Sequence, residues 1–307
     1  YFCSGSSAML SEGIHTLADV ANQALLLLGL RQARRGPDNR HQYGYGQAAF
    51  FWALVSALGV FFLGCGVTVY HGIHQLLDPP AQIHVGWLTW VVLAIAFVLD
   101  GWVLLGAISQ IRREKPAHLS FLDYLPKIKD PMLMAVLLED LAACIGVLIA
   151  IVGIVLTEMT GNPTWDGIAS LLIGVLLGVV ALTLVRLNQR FLIGQSVEPE
   201  VDTAIREMIL ARPSIESVHR VQSRWIGASA FAYKAEVDFD GAWFAGELES
   251  VYSPVFEEIN DKAAMHDLLA VYTEHVSRLI AREVDAIEGS IAERFPEARY
   301  IMLEPHD

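Results

Sequence analysis

The residues best suited to chemistry are ionisable side chains that lie within long apolar stretches of the chain. The segment SEGIHTLADVANQ places His15 and Asp19 four residues apart, with Asn22 and Gln23 just beyond them. Residues four apart lie on one face of an α-helix, about one turn from each other. This spacing predicts an imidazole and a carboxylate on the same helix face.

A second acidic pair, Glu139 and Asp140, lies in the apolar segment VLLEDLAAC. An ionisable group in a bilayer is costly unless it is paired or lines an aqueous path, so such residues are functional candidates. An imidazole nitrogen and carboxylate oxygens suit zinc or another divalent first-row cation. We therefore predict a metal site between the two segments; the alternative is that these side chains only hydrogen-bond within a helix bundle.

A third apolar segment, FVLDGWVLL, contains Asp100. This carboxylate could belong to an ion or proton path, and a paired structural role is the alternative.

The elements that must position these residues are helices long enough to cross a bilayer. Apolar residues make up 54% of the 307, and charged residues make up 18%. A spanning helix needs about 20 mostly apolar residues. Five windows have that length: 7–30, 47–71, 85–108, 131–157 and 164–187.

The basic residues alternate between the connecting segments. Segments 31–46 and 109–130 contain four and five Lys and Arg, whereas 72–84 and 158–163 contain none. By the positive-inside rule the two basic loops and the C-terminal region face the cytoplasm or an equivalent compartment. Residues 1–10 read as the end of a sixth, truncated helix, so we expect an all-α, six-helix transmembrane domain over residues 1–194.

After residue 194, long apolar runs give way to alternating patterns. A helix is predicted at 199–212, strands at 215–226 and 229–239, a long amphipathic helix at 266–294 and a last strand at ARYIMLE. This order predicts a C-terminal α+β domain, ferredoxin-like αββαβ, over residues 195–307. Residues 241–265 fit that plan poorly and are treated as an insertion, partly helical.

Charge and cysteine content exclude several classes of protein. After residue 194 the chain has 10 Lys and Arg against 22 Asp and Glu, a formal charge of −12. An acidic domain of this kind has no electrostatic basis for binding nucleic acid. Three cysteines in apolar surroundings, without paired spacing, support neither a disulfide framework nor a zinc knuckle.

The motifs together resemble the cation diffusion facilitator family. The resemblance rests on SGSSAMLSEGIHTLADVANQ, on a basic loop that ends in HQYGYGQ, on the six-span topology and on the αββαβ tail. It covers nearly the whole chain. Within the family, LLEDLAACIGV, GNPTWDGIASLLIG and KAEVDFDG are similar to the branch that contains the mitochondrial zinc transporter of animals, the ninth of their series.

The resemblance implies an activity. Family members export zinc or related divalent ions as homodimers, usually against protons, by alternating access. It therefore implies a transporter rather than an enzyme, with Zn²⁺ as substrate, Mn²⁺, Fe²⁺ or Co²⁺ as alternatives, and no organic cofactor. Its partners would be divalent ions, protons, the lipid bilayer and a second copy of the chain.

The resemblance also implies site residues. The HxxxD motif of the family falls on His15 and Asp19, and the Asp of its fifth-helix pair falls on Asp140; the usual partner four residues earlier is Val136 here. The set is one ligand short, and Glu139, Asn22, a water molecule or Cys144 could complete it. In the tail, His219, Glu304 and His306 resemble the C-terminal metal ligands of the family, and solvated surface residues are the alternative.

Three other functions remain as alternatives. An intramembrane metalloenzyme would need a motif such as HExxH or GxSxG, and neither occurs. A membrane-bound metal sensor or scaffold would bind ions without moving them, and a channel would need weak, multiple sites. The Ala-, Leu- and Gly-rich composition favours a bacterial inner membrane, while the branch resemblance suggests a mitochondrial inner membrane.

Overall fold

The computed structural model describes residues 7–78, 86–117, 119–257, 259 and 262–306, and it gives only the backbone of residues 7–19 and 257. The chain divides into two compact units, Tyr1–Ile193 and Gly194–Asp307. Within the described residues, the first unit is helical and the second combines helices with a three-stranded sheet.

The first unit is an assembly of long helices. Its elements are α1 (Ser7–Ala33), α2 (Ala48–Gly59), a π-helical segment (Val60–Gly66), α3 (Val67–Leu77), α4 (Trp87–Glu114), α5 (Phe121–Tyr124), a 3₁₀ turn (Leu125–Lys127), α6 (Pro131–Thr160) and α7 (Thr164–Ile193). The segments α2, π-helix and α3 follow one another without interruption.

Several of these helices have the length and composition of membrane spans. Within the described residues these are Ala48–Leu77, Trp87–Glu114, Pro131–Thr160 and Thr164–Ile193. They cover the last four of the five hydropathic windows, so the chain is an integral membrane protein. The first window is the helix α1, and the expectation of six spans stays a prediction.

Local sequence explains where α6 and α7 begin and end. The Asp130 carboxylate accepts hydrogen bonds from the amides of Met132 and Leu133, which caps the start of α6, and Pro131 occupies its first turn. Gly161 ends α6 with φ of 66°, a left-handed conformation that suits glycine. Asn162 Oδ1 then accepts from Thr164 N at the start of α7.

Glycines bring α7 close to its neighbours. A Cβ built on Gly174 would lie 2.6 Å from Val69 Cγ2 of α3, and one on Gly178 would lie 3.0 Å from Cys65 Sγ in the π-helical segment. On α6, a Cβ at Gly153 would lie 2.5 Å from Ala169 Cβ. These helices therefore approach each other at distances that only glycine permits.

The second unit is a sheet covered by helices. Its elements are α8 (Pro199–Leu210), β1 (Ile215–Gly227), β2 (Ala230–Phe239), α9 (Gly241–Glu257), α10 (Lys262–Arg294) and β3 (Ala298–Pro305). The strand order is β1-β2-β3, with β1 antiparallel and β3 parallel to β2. The segment treated as an insertion is largely helical, because α9 occupies most of it and α10 begins at Lys262.

The core of this unit lies on one face of the sheet. Alternate side chains of β2, namely Tyr233, Ala235 and Val237, are almost fully buried, as are Ile205 of α8 and Ile287 of α10. The residues between them in β2 therefore point to the opposite face, where the polar side chains lie.

Candidate metal centre

A hydrogen bond joins the two apolar segments that carry the predicted metal ligands. Asn22 of α1 donates from Nδ2 to Glu139 Oε2 of α6. Asn22 is 6% exposed, and its Oδ1 is buried and accepts no hydrogen bond from the residues that the structure describes. Polar groups of the two helices therefore face each other inside the membrane unit.

Near this level, α1 shares a buried apolar cluster with α2, α6 and α7. Leu26, one turn after Asn22, is buried in a cluster with Ala135 and Ala142 of α6. These alanines lie four residues before and three residues after Glu139, on the same side of α6. The packing thus turns the face that bears Glu139 towards α1.

The side chains of His15 and Asp19 lie outside the described residues. The backbone of α1 is helical from Ser7 to Ala33, so positions 15, 19 and 22 share one helix face by register. Of these three positions, the structure gives the contact of Asn22 alone.

On α6, Asp140 is half-buried and Cys144, one turn later, is 8% exposed. The predicted path residue Asp100 lies on α4, which packs against α6.

Val136, at the position where the resemblance expects a ligand, lies in apolar surroundings. It packs with a cluster that includes Ala107 and Ile111 of α4 and Leu133 of α6. This environment would disfavour a charged ligand, and it agrees with the apolar side chain found there.

The described residues contain no group of three or more His, Cys, Asp or Glu side chains arranged to hold a metal ion. Two members of the predicted transport set, His15 and Asp19, are outside that survey. Two other oxygen donors of the predicted set, Glu139 and Asn22, are bonded to each other.

In the second unit, His219 and His306 meet on the polar face of the sheet. Their rings stack with centroids 3.8 Å apart, His219 Nε2 lies 2.6 Å from Asp238 Oδ2, and His306 Nδ1 lies 3.2 Å from Glu236 Oε2. A hydrogen bond from Ser217 and then one from His219 lower the pKa of Asp238. The stacked rings direct their nitrogens to separate carboxylates rather than to one point.

Glu304, the third residue predicted with these histidines, is placed differently. Its carboxylate forms an ion pair with Lys234 Nζ at 2.6 Å, and both side chains are about 40% exposed. The structure therefore brings His219 and His306 together and gives Glu304 another partner.

Sequence reasoning missed Asp238 and Glu236 as the partners of these histidines. The signal was present in FAYKAEVDF, because strand alternation puts Lys234, Glu236 and Asp238 on one face. Only the pairing of β2 with β1 and β3 places them beside His219 and His306.

A polar contact that the sequence does not predict joins α3 and α7. Gln75 of α3, which is 7% exposed, donates from Nε2 to Asp166 Oδ2 of α7 at 2.6 Å. Asp166 therefore has a structural partner on the neighbouring helix.

Comparisons with known proteins agree with this organisation. Residues 1–193 match the model of the cation efflux transmembrane domain. The chain is 38% identical over 306 residues to the protein of Xenopus laevis named proton-coupled zinc antiporter SLC30A9, mitochondrial. The aligned region covers 98% of this chain and 55% of that protein. The corresponding human protein is 35% identical over 98% of this chain and 54% of its own length.

A plant protein is similar over the whole chain. Metal tolerance protein C4 of Arabidopsis thaliana is 34% identical over 318 residues, which is 100% of this chain and 69% of that protein. The chain spans about half the length of the animal relatives.

Proposed function

The chain belongs to the cation efflux family, and we propose that it transports divalent metal cations, zinc foremost, by proton-coupled antiport. The observation that carries the proposal is the hydrogen bond between Asn22 and Glu139, which joins α1 to α6 in the membrane unit. Those two helices bear His15, Asp19 and Asp140. The names of the animal relatives, which specify zinc and protons, support the same substrate and coupling.

In the proposed site, His15 contributes an imidazole nitrogen, and Asp19 and Asp140 contribute carboxylate oxygens. Three such ligands between two helices suit a tetrahedral Zn²⁺, while Mn²⁺, Fe²⁺ and Co²⁺ accept overlapping ligands. No organic cofactor is needed, because the ion is the cargo. A transport site must also release its ion, and movement of α1 against α6 would change the ligand geometry.

Proton coupling follows from the chemistry of the ligands. A metal ion binds neutral imidazole and ionised carboxylate, so binding releases protons and protonation releases the metal. If access alternates between the two sides of the membrane, the same groups carry metal one way and protons the other. Asp100, on the helix α4 that packs against α6, is the proposed relay for protons or ions on that path.

We also propose the architecture of the family: six spans, a ferredoxin-like C-terminal domain and a homodimer. The basic loops and the acidic C-terminal unit would share the inner side of the membrane. The mitochondrial names of the animal relatives support an inner mitochondrial membrane or one of equivalent polarity. His219 and His306 would form a second metal site only after their rings leave the stacked arrangement.

The test is uptake of zinc, manganese, iron and cobalt into proteoliposomes under an imposed pH gradient. We expect zinc flux that requires the gradient and is lost in Asp19→Ala and in Asp140→Ala. Asp123→Ala is the matched control, because that carboxylate accepts a hydrogen bond from Ser120, the residue that caps the short helix α5 in the loop before α6. Flux that persists in both membrane variants would overturn the assigned site.

A sensor or scaffold is the second candidate, because Val136 stands where the family pattern has a metal ligand. It predicts saturable metal binding without flux for every ion. Flux that rises without saturation would instead indicate a channel.

A further inference from the structure

Val136 offers no ligand to the transport site. We propose that Asn22 Oδ1 is the ligand that completes the site instead, and that Glu139 is the positioning residue that orients the Asn22 amide. This inference rests on the proposed function and deepens it, because it decides among the donors that the sequence leaves open. Those donors are Glu139, Asn22, Cys144 and water.

The orientation of the Asn22 amide carries the inference. Its Nδ2 donates to Glu139 Oε2, so the carboxylate fixes which end of the amide faces α6. The other end, Oδ1, is a buried oxygen that accepts no hydrogen bond from the described residues. Buried polar atoms are almost always satisfied, so this oxygen calls for a bound partner. A metal ion that takes oxygen ligands is such a partner.

The position of Asn22 fits a ligand of the same ion as the predicted set. It follows Asp19 by three residues and His15 by seven on α1, so the three positions share a helix face. Its hydrogen-bond partner immediately precedes Asp140 on α6. Asn22 therefore lies on the seam between the two helices that carry the proposed ligands.

A carboxylate that hydrogen-bonds to a ligand and fixes its orientation is a recurrent feature of metal sites. Glu139 has this relation to Asn22, because it accepts from the amide nitrogen and so directs the amide oxygen away. This arrangement assigns the two residues different roles, although both are oxygen donors.

A second buried asparagine in the spans shows the contrast. Asn188 of α7 is 3% exposed, and its Nδ2 donates to the Leu184 carbonyl of its own helix at 2.8 Å. It makes a local contact within one helix, whereas Asn22 connects two. Asn188 is therefore the matched control for removing a buried amide.

The assignment has a consequence for metal selectivity. A ligand set made of one imidazole nitrogen and three oxygens consists of chemically harder donors than a set with two imidazoles. Oxygen ligands favour Mn²⁺ relative to Zn²⁺. We expect Asn22→His to raise the ratio of zinc flux to manganese flux. If Cys144 completed the site, its thiolate would favour zinc instead, and Cys144→Ala would change that ratio.

The experiment measures Co²⁺ binding by the full chain in lipid nanodiscs, by absorption spectroscopy and by titration. Asn22→Leu is expected to weaken binding by about 10- to 100-fold or more and to alter the ligand-field bands of the bound ion. Asn188→Leu should leave both unchanged. Cys144→Ala should leave the bands unchanged and so exclude a thiolate ligand.

A paired exchange tests the roles of the two residues. Asn22→Asp keeps the oxygen but places two carboxylates in contact, so binding should weaken. Adding Glu139→Gln restores one donor and one acceptor to the pair, with the direction of the hydrogen bond reversed. The double variant should therefore recover most of the affinity that Asn22→Asp loses.

The outcomes separate this inference from the proposed function. If Asp140→Ala abolishes Co²⁺ binding while Asn22→Leu leaves the affinity and the bands unchanged, Asn22 is not a ligand and the transport site stands. If Asp140→Ala leaves binding and zinc flux intact, the proposed site itself is wrong. An altered spectrum in Asn22→Leu, with no change in Asn188→Leu, establishes the ligand.

Discussion

Replacing Gly153 by alanine tests whether α6 and α7 touch as closely as the structure places them. The new Cβ would lie 2.5 Å from Ala169 Cβ and 3.4 Å from the Trp165 carbonyl oxygen. Carbon atoms pack best at about 3.5–4.0 Å, so the overlap with Ala169 is about 1 Å. Neither opposing atom is the end of a flexible side chain, and the helices themselves must therefore separate.

The expected magnitude follows from two opposing effects. Overpacking of a tight contact costs about 1–3 kcal/mol, and a clash this short belongs near the upper end. Alanine recovers up to about 1 kcal/mol of helix propensity. We expect Gly153→Ala to lower the free energy of unfolding by about 2 kcal/mol.

The assay is the midpoint of unfolding by SDS in mixed micelles, compared across three variants. Gly106→Ala is the control, because a Cβ at that position of α4 meets no described atom within 4 Å; it should be neutral or slightly stabilising. Gly153→Ala combined with Ala169→Gly moves the methyl group across the interface and should regain most of the loss. If Gly153→Ala is as stable as the control, the close packing of α6 on α7 is refuted.

Three further predictions concern polar contacts outside the proposed transport site. Gln75→Leu removes the hydrogen bond to Asp166 and should lower the free energy of unfolding by about 1–2 kcal/mol in the same SDS titration. The control, Gln110→Leu, removes an exposed contact within α4 and should change the free energy of unfolding little. Hydrogen bonds from a tyrosine hydroxyl and two backbone amides lower the pKa of Asp38 to about 2. Because the folded-state pKa of Asp38 is depressed, the loop around Asp38 should stay ordered above the ordinary aspartate pKa and loosen only as pH falls towards 2. Hydrogen exchange of the two backbone amides that donate to Asp38 checks this. In Asp38→Ala, these amides should lose their protection from exchange at neutral pH. Glu304→Gln breaks a half-exposed ion pair, so it should cost less than about 1 kcal/mol and leave the zinc stoichiometry of the protein unchanged in titration calorimetry; a lost zinc ion would contradict the placement.

Some interactions that matter for the site could be only partly anticipated. The segment SEGIHTLADVANQ singles out Asn22 as a polar residue on the face of His15 and Asp19, but nothing local indicates that its partner is Glu139. The two are 117 residues apart, and their contact depends on how α1 and α6 rotate and cross. Likewise, the four-residue spacing of Gly174 and Gly178 occurs often by chance, and the opposing side chains on α3 and the π-helical segment give it meaning.

The C-terminal unit shows the same division between local and distant information. Period-two alternation predicts β1 and β2 almost to the residue, because side chains of a strand point alternately to its two faces. Residues 241–257 form a helix that α+β order alone does not require, so the sequence pattern predicts it only in part. The cluster of His219, His306, Asp238 and Glu236 combines residues of β1 and β2 with the residue that follows β3, so it exists only once the register is set.

The sequence by itself determines the apolar spans, the strands and helices of the tail, and the residue types that could bind a metal, and its basic loops predict the sidedness. These properties are local, because hydropathy, charge and periodicity are written in consecutive residues. The tertiary structure alone decides that Asn22 bonds Glu139, that Val136 faces an apolar cluster, and that Glu304 pairs with Lys234. Each of these depends on the rotation and spacing of elements distant in the chain, which no local pattern encodes.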